Sequence, residues 1–215
     1  MRRLVFLVEG DTELIFINNH VIPYLYSKGF ENAMNAQKII TNRQLHKKGG
    51  NINYDYLKND IQRVMAQGNV IITTFLDFFR LPTNFPGYTL DSNQIDNIEI
   101  SVHTNLNSHE FLLPYIQKHE MEALMFSSMD GFNIVIDDER KLAQLESIMT
   151  RYENPEDINN HPSTSPSNRL KSIFQYNKVG DGELILEAIG ICEMIKKCPR
   201  FKEWLTKVEN ILAIP

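Results

Sequence analysis

Four carboxylates stand where an α/β chain would gather them. Glu9 closes the apolar run 4–8, Asp77 closes the run 70–76, and Glu120 and Glu122 closely follow the run 111–116. In open parallel sheets, ligands bind beyond the carboxyl ends of the strands, so acids remote in sequence meet there. Clustered carboxylates repel one another, and a hard divalent cation is the common means of keeping them ionised. Mg²⁺ in particular is held by one or two carboxylates together with water and phosphate oxygens. Mn²⁺ fits the same oxygen donors. The simpler use of such acids is as helix caps, which Glu9-Gly10-Asp11-Thr12 would suit. Asp77 is flanked by Phe78 and Phe79 and reads as a partly buried acid in need of a partner. In His119-Glu120-Met121-Glu122 an extended backbone puts both glutamates on one face, whereas a helix separates them. A zinc reading through His119 and Glu122 lacks the HExxH pattern and is weak.

The elements that must position these acids follow from periodicity. The run 4–8 is continuously apolar, as a strand covered on both faces is. A helix follows, capped by Asp11 or Thr12, with Leu14, Ile17, Val21 and Leu25 on its stripe and Gly29 as its stop. A short strand is expected over 38–41. After Gly49-Gly50, residues Tyr54, Leu57, Ile61 and Val64 mark an amphipathic helix that ends near Gly68. The β-branched run 70–76 is the strongest strand. This order is βαβαβ, with connections long enough for parallel crossovers.

Residues 80–90 are too punctuated by Pro and Gly for regular structure. A helix is expected within 91–107, and a fourth strand over 111–116 with Pro114 at an edge or bulge. Helices are expected over 119–126 and 140–152. The Pro- and Asn-rich stretch 154–168 reads as an ordered loop, not a domain boundary. The end is helical, with Pro199 opening a last helix whose stripe is Phe201, Trp204, Leu205, Val208 and Leu212. One α/β domain over 1–215 is expected, its core in 1–130 and a loop and helical part in 131–215.

The bulk properties narrow the class. No apolar run approaches the roughly 20 residues that span a bilayer. Arg2 and Arg3 precede too short an apolar run for a secretion signal, and two cysteines are too few for a disulfide framework, so the cytoplasm is the expected compartment. Cys192, among Ile189, Ile191 and Ile195, is expected in the core. With 27 acidic and 22 basic residues the net charge is −5. A lone nucleic-acid binder usually has a basic face; here basic clusters are local, at 43–48 and 196–202. A homo-oligomer is compatible with the sequence.

The segment from Leu4 through Glu9-Gly10 to Glu13 resembles the opening strand and loop of Toprim domains, found in topoisomerases, primases and OLD-type nucleases. A closer resemblance runs along nearly the whole chain. Phe75-Leu-Asp77-Phe-Phe-Arg-Leu81-Pro82, Phe85-Pro86-Gly87, the segment from Pro114 through Gln117 and His119-Glu120-Met-Glu122 to Leu124, Pro166-Ser167-Asn-Arg169, Tyr176-Asn-Lys178 and Cys198-Pro-Arg-Phe201 with Trp204 together resemble domain of unknown function 4276. That family is Toprim-like and often accompanies ABC- or AAA-type ATPases in bacterial defence-like gene pairs.

The resemblance implies roles by position. Glu9 matches the Toprim acid that serves as general acid/base or metal ligand. Asp77 matches the first aspartate of the DxD pair, whose second place is taken here by Phe79. Glu120 or Glu122 would complete the metal site. Lys178 and Arg169 would contact phosphate or the transition state, Lys178 as a catalytic residue, with Ser167 of the same motif binding substrate. The expected function is therefore a Mg²⁺- or Mn²⁺-dependent nuclease working with an ATPase partner. The rival expectation is a non-catalytic subunit that docks on such a partner through its aromatic segment 75–88. Neither a P-loop nor a dinucleotide glycine pattern is present.

Overall fold

The computed structural model describes residues 1–42, 47–159 and 161–214; most of the basic cluster 43–48 lies outside them. In chain order the elements are β1 (Arg3–Val8), α1 (Asp11–Phe16), a π-helical segment (Ile17–Val21), α2 (Ile22–Ser27), β2 (Met34–Lys38), β3 (Ile40–Asn42), β4 (Lys47–Lys48), α3 (Tyr54–Met65), β5 (Val70–Asp77) and α4 (Ile95–Asn105). Next come β6 (Leu112–Leu113), β7 (Ile116–Gln117), a 3₁₀ helix (Met121–Ser127), α5 (Asp130–Val135), α6 (Glu139–Arg151), α7 (Pro166–Ile173), α8 (Gly180–Ile189), α9 (Ile191–Lys197) and α10 (Pro199–Leu212). Short 3₁₀ turns lie at Ser92–Gln94, Pro155–Asp157 and Pro162–Thr164. Among the described residues, no helix is long and apolar enough to cross a membrane. By their internal contacts the residues form two compact units, Met1–Ile116 with Trp204–Pro215, and Gln117–Glu203.

The first unit is built on a parallel sheet of order β2-β1-β5-β6, with β1 at its centre and parallel partners on both sides. One face buries Val5, Leu7, Ile72 and Leu76 against Leu57, Ile61 and Val64 of α3 and Ile95, Ile98 and Val102 of α4. The alternate residues Phe6 and Phe75 meet Phe16 of α1 and Trp204 of α10. Trp204 stacks on Tyr115 at 4.7 Å and donates its indole N–H to Thr73 Oγ1 at 2.9 Å. Side chains of this size each contribute on the order of 2 kcal/mol when buried.

Several expectations shift for local reasons. The second strand is β2, ending at Lys38 where the sequence had suggested a beginning. Its residues Asn35 and Gln37 and its half-buried edge position hide the strand pattern. Ile40–Asn42 belongs instead to a small antiparallel hairpin with β4. The first helix opens on Gly10 without a side-chain cap, so Asp11 and Thr12 lie inside its first turn. Its π-helical turn precedes Pro23, which lacks an N–H and whose ring would strike the carbonyl four residues back. That wider turn puts Phe16, Ile17, Val21, Ile22 and Leu25 inward and leaves Leu14 half-exposed.

Pro114 splits the fourth strand into β6 and β7, and two threonines mend the gap. Thr73 Oγ1 donates to the Leu113 carbonyl at 2.8 Å. Thr74 Oγ1 donates to the Tyr115 carbonyl and accepts its N–H, both at 2.7 Å.

The second unit is almost wholly helical. Its core gathers Phe126, Phe132, Leu145, Ile158, Leu170, Ile185, Met194 and Phe201. The expected helix over 119–126 is a 3₁₀ helix, and the expected helical end is broken at Gly190, where φ is +72°. That break shifts the helical phase of α9 relative to α8. Met194 and Cys198 turn inward, and Cys192, expected in the core, is exposed.

Candidate functional site

At the carboxyl edge of the first unit's sheet, β1 and β5 run parallel with Val8 level with Phe75. Glu9 lies one residue beyond this level and Asp77 two, so the strongest strands of the chain deliver their acids to one edge. Both residues are half-buried. The loop carrying Glu9 is held from behind by Gly49. At φ +74° this residue sits so close that a Cβ there would lie 2.6 Å from the Glu9 carbonyl oxygen.

Beyond the loop, Asp11 pairs with Lys38 at 2.6 Å. Glu13, only 7% exposed, brings its carboxylate over Gly10. In the sequence Glu13 closes the Glu9-Gly10 motif with no role of its own. Its position three residues after Gly10, in the first helical turn, is the signal that it faces back onto the loop. After Asp77 the backbone turns sharply, with Arg80 at φ +66° and its guanidinium 5.1 Å from the Phe79 ring.

The second unit holds the other expected site residues, and they are bound to one another. Glu120 is 5% exposed and accepts the Ser167 amide at 2.9 Å and the Ser167 hydroxyl at 2.8 Å. Its carboxylate thereby caps α7, satisfying the orphan donors of a helix N-terminus and complementing the dipole. Both Glu120 and Ser167, expected as metal ligand and phosphate contact, are engaged in this cap. Arg169 donates Nε–H to the Thr164 carbonyl at 2.8 Å and a second N–H to Tyr152 Oη at 3.4 Å.

Glu122 is fully buried and forms an ion pair with Lys178 Nζ at 2.7 Å. Burial raises its carboxyl above the usual range; Lys178 pulls it down and the neighbouring Glu120 pushes it further up. The Tyr176 hydroxyl is likewise raised, by burial and by the Glu122 and Glu120 carboxylates, so it stays protonated. His119, buried and at φ +65°, has its pKa lowered to about 4 by burial and by Lys118, and is neutral at pH 7.

A further buried acid lay unread in the Pro-rich stretch. Glu156 accepts the amides of Arg200 at 2.8 Å and Phe201 at 3.1 Å, capping α10 as Glu120 caps α7. The signal for it was the start of α10 itself. Cys198-Pro199 offers a good first helical residue but no side-chain cap, so an acceptor from elsewhere was required. Among the described residues, no three His, Cys, Asp or Glu side chains gather at metal-ligand spacing. Glu9 and Asp77 share one edge of the first unit; Glu120 and Glu122 lie in the second unit with Ser167 and Lys178 as partners.

The sheet order and helical layers define an α/β protein with a parallel sheet of about four strands. Within that class, the family model described as Domain of unknown function (DUF4276) matches residues 8–209. The chain belongs to that family. No curated protein and no solved structure matches it.

Proposed function

We propose that this chain is a Toprim-type, Mg²⁺- or Mn²⁺-dependent phosphodiesterase acting on nucleic acid, working beside an ABC- or AAA-type ATPase in bacterial defence. The observation that carries the reading is the delivery of Glu9 and Asp77 to one edge by adjacent parallel strands. Their hard oxygen donors suit a small divalent ion that keeps water and phosphate oxygens in its shell. Glu120 fits this donor set less well, because both its oxygens already accept from Ser167. When bound, the cation supplies neutralisation of the scissile phosphate's charge.

The chain's own residues supply the rest. Glu9, in its alternative role to metal ligand, accepts the proton of the attacking water. Gly49 fixes the loop that aims Glu9. On this reading Lys178, paired with Glu122 at 2.7 Å within the second unit, contacts phosphate there.

Phe79, standing where Toprim domains carry a second aspartate, favours a second reading: a non-catalytic subunit that docks on the ATPase. A cleavage assay on single- and double-stranded DNA and RNA with Mn²⁺ or Mg²⁺ separates the two. The Glu9→Gln, Asp77→Asn double variant is expected to lose cleavage by about 100-fold or more. Undiminished cleavage by that variant would sink the catalytic reading.

A further inference from the structure

An open groove of about 480 Å³ runs between α6 and α7 in the second unit. Arg140 and Arg151 stand on one wall and Arg169 on the other, and no carboxylate lines it among the described residues. On a chain carrying 27 acids this wall departs from the surroundings. Arg140 and Arg151 are eleven positions apart on α6, about three turns, so they share a face about 16 Å apart. Glu139 and Glu146 of the same helix are not among the lining residues. Ile148 and Ile173 give the groove an apolar component, and Ser147 and Ser172 line it with hydroxyls. Arg169 is held in place by Thr164 and Tyr152 and keeps further donors unspoken for by those bonds.

We infer that this groove binds the sugar–phosphate backbone of single-stranded nucleic acid, with an unstacked base against Ile148 and Ile173. Guanidinium groups pair bidentately with the oxygens of phosphates and carboxylates, so the groove suits an oxyanion ligand. With the two arginines set about 16 Å apart along α6, a polyanion can contact both at once. An apolar wall among arginines and hydroxyls suits a base face, and a duplex keeps its bases stacked inside. The inference rests on the phosphodiesterase reading and extends it by naming a surface of the second unit that binds the substrate strand.

The test is fluorescence anisotropy on the full chain in EDTA, with labelled dT and rU oligonucleotides of about twelve nucleotides. The Arg140→Ala, Arg151→Ala variant alters only exposed side chains. It is expected to bind at least tenfold more weakly. The slope of log affinity against log salt should fall by about 1.4, the share of two lost phosphate contacts. Unchanged affinity in that variant, no binding by the wild type, or equal binding of a phosphopeptide or of duplex would overturn the inference. Glu9→Gln, Asp77→Asn should bind as the wild type does. Arginine-dependent binding without any cleavage would thus leave the groove standing while removing the catalytic reading.

Discussion

Three buried glutamates of the second unit have different tasks. Glu120 and Glu156 accept amide hydrogens at helix ends, whereas Glu122 faces a lysine and bears a burial penalty that its partner only partly offsets. A buried acid with no helix end to cap and a raised carboxyl is a candidate for a functional group. The cysteines divide just as sharply. Cys198 is fully buried, and its thiol is pushed up by burial and by Glu156. Cys192 is exposed beyond the Gly190 break. A thiol-reactive probe should therefore modify one cysteine in the native protein and both after unfolding, and peptide mapping should place the native label on Cys192. Rapid native labelling of Cys198 would contradict this packing. The acids at the ends of the two strongest strands were legible in the sequence, because an uninterrupted apolar run ends visibly at its first carboxylate. The tasks of Glu120 and Glu156 were not, since their partners lie 47 and 44 residues away.

The helix starts carry much of the second unit's order. α7 and α10 both begin at a proline, which leaves fewer amide donors to satisfy, and each receives a glutamate from elsewhere in the chain. Replacing Glu120 by Ala would leave the Ser167 amide and hydroxyl buried without their acceptor. The expected loss is about 1–3 kcal/mol, read as a lower urea midpoint with unchanged slope. An unchanged midpoint would show that the cap is dispensable. At this scale the long apolar strands and amphipathic helices were readable from period alone, as β1, β5, α3, α6 and α10 show. The misreadings arose where a local device overrides the period. These are the π-helical turn before Pro23, the break at Gly190, and the edge strand β2 with its polar residues.

For the whole molecule, the charge balance and the groove together suggest how an acidic protein would hold an acidic polymer. The net charge of −5 opposes long-range attraction, so on the proposed reading affinity would come from a small cationic surface such as the α6–α7 groove, helped by a divalent ion at the acids or by a partner. Parallel topology was foreseeable from the βαβαβ order. The grouping of Gln117–Glu203 as a compact unit was not, because its helices are short and its caps are long-range.

The central claim is that Glu9 and Asp77 form a divalent-metal site. Its most direct test is a calorimetric titration of the full chain with Mn²⁺, wild type beside Asp77→Asn. Saturable binding by the wild type that disappears in the variant, with the fold intact by circular dichroism, is the predicted result. Equal binding by the two proteins, or binding by neither, would contradict it.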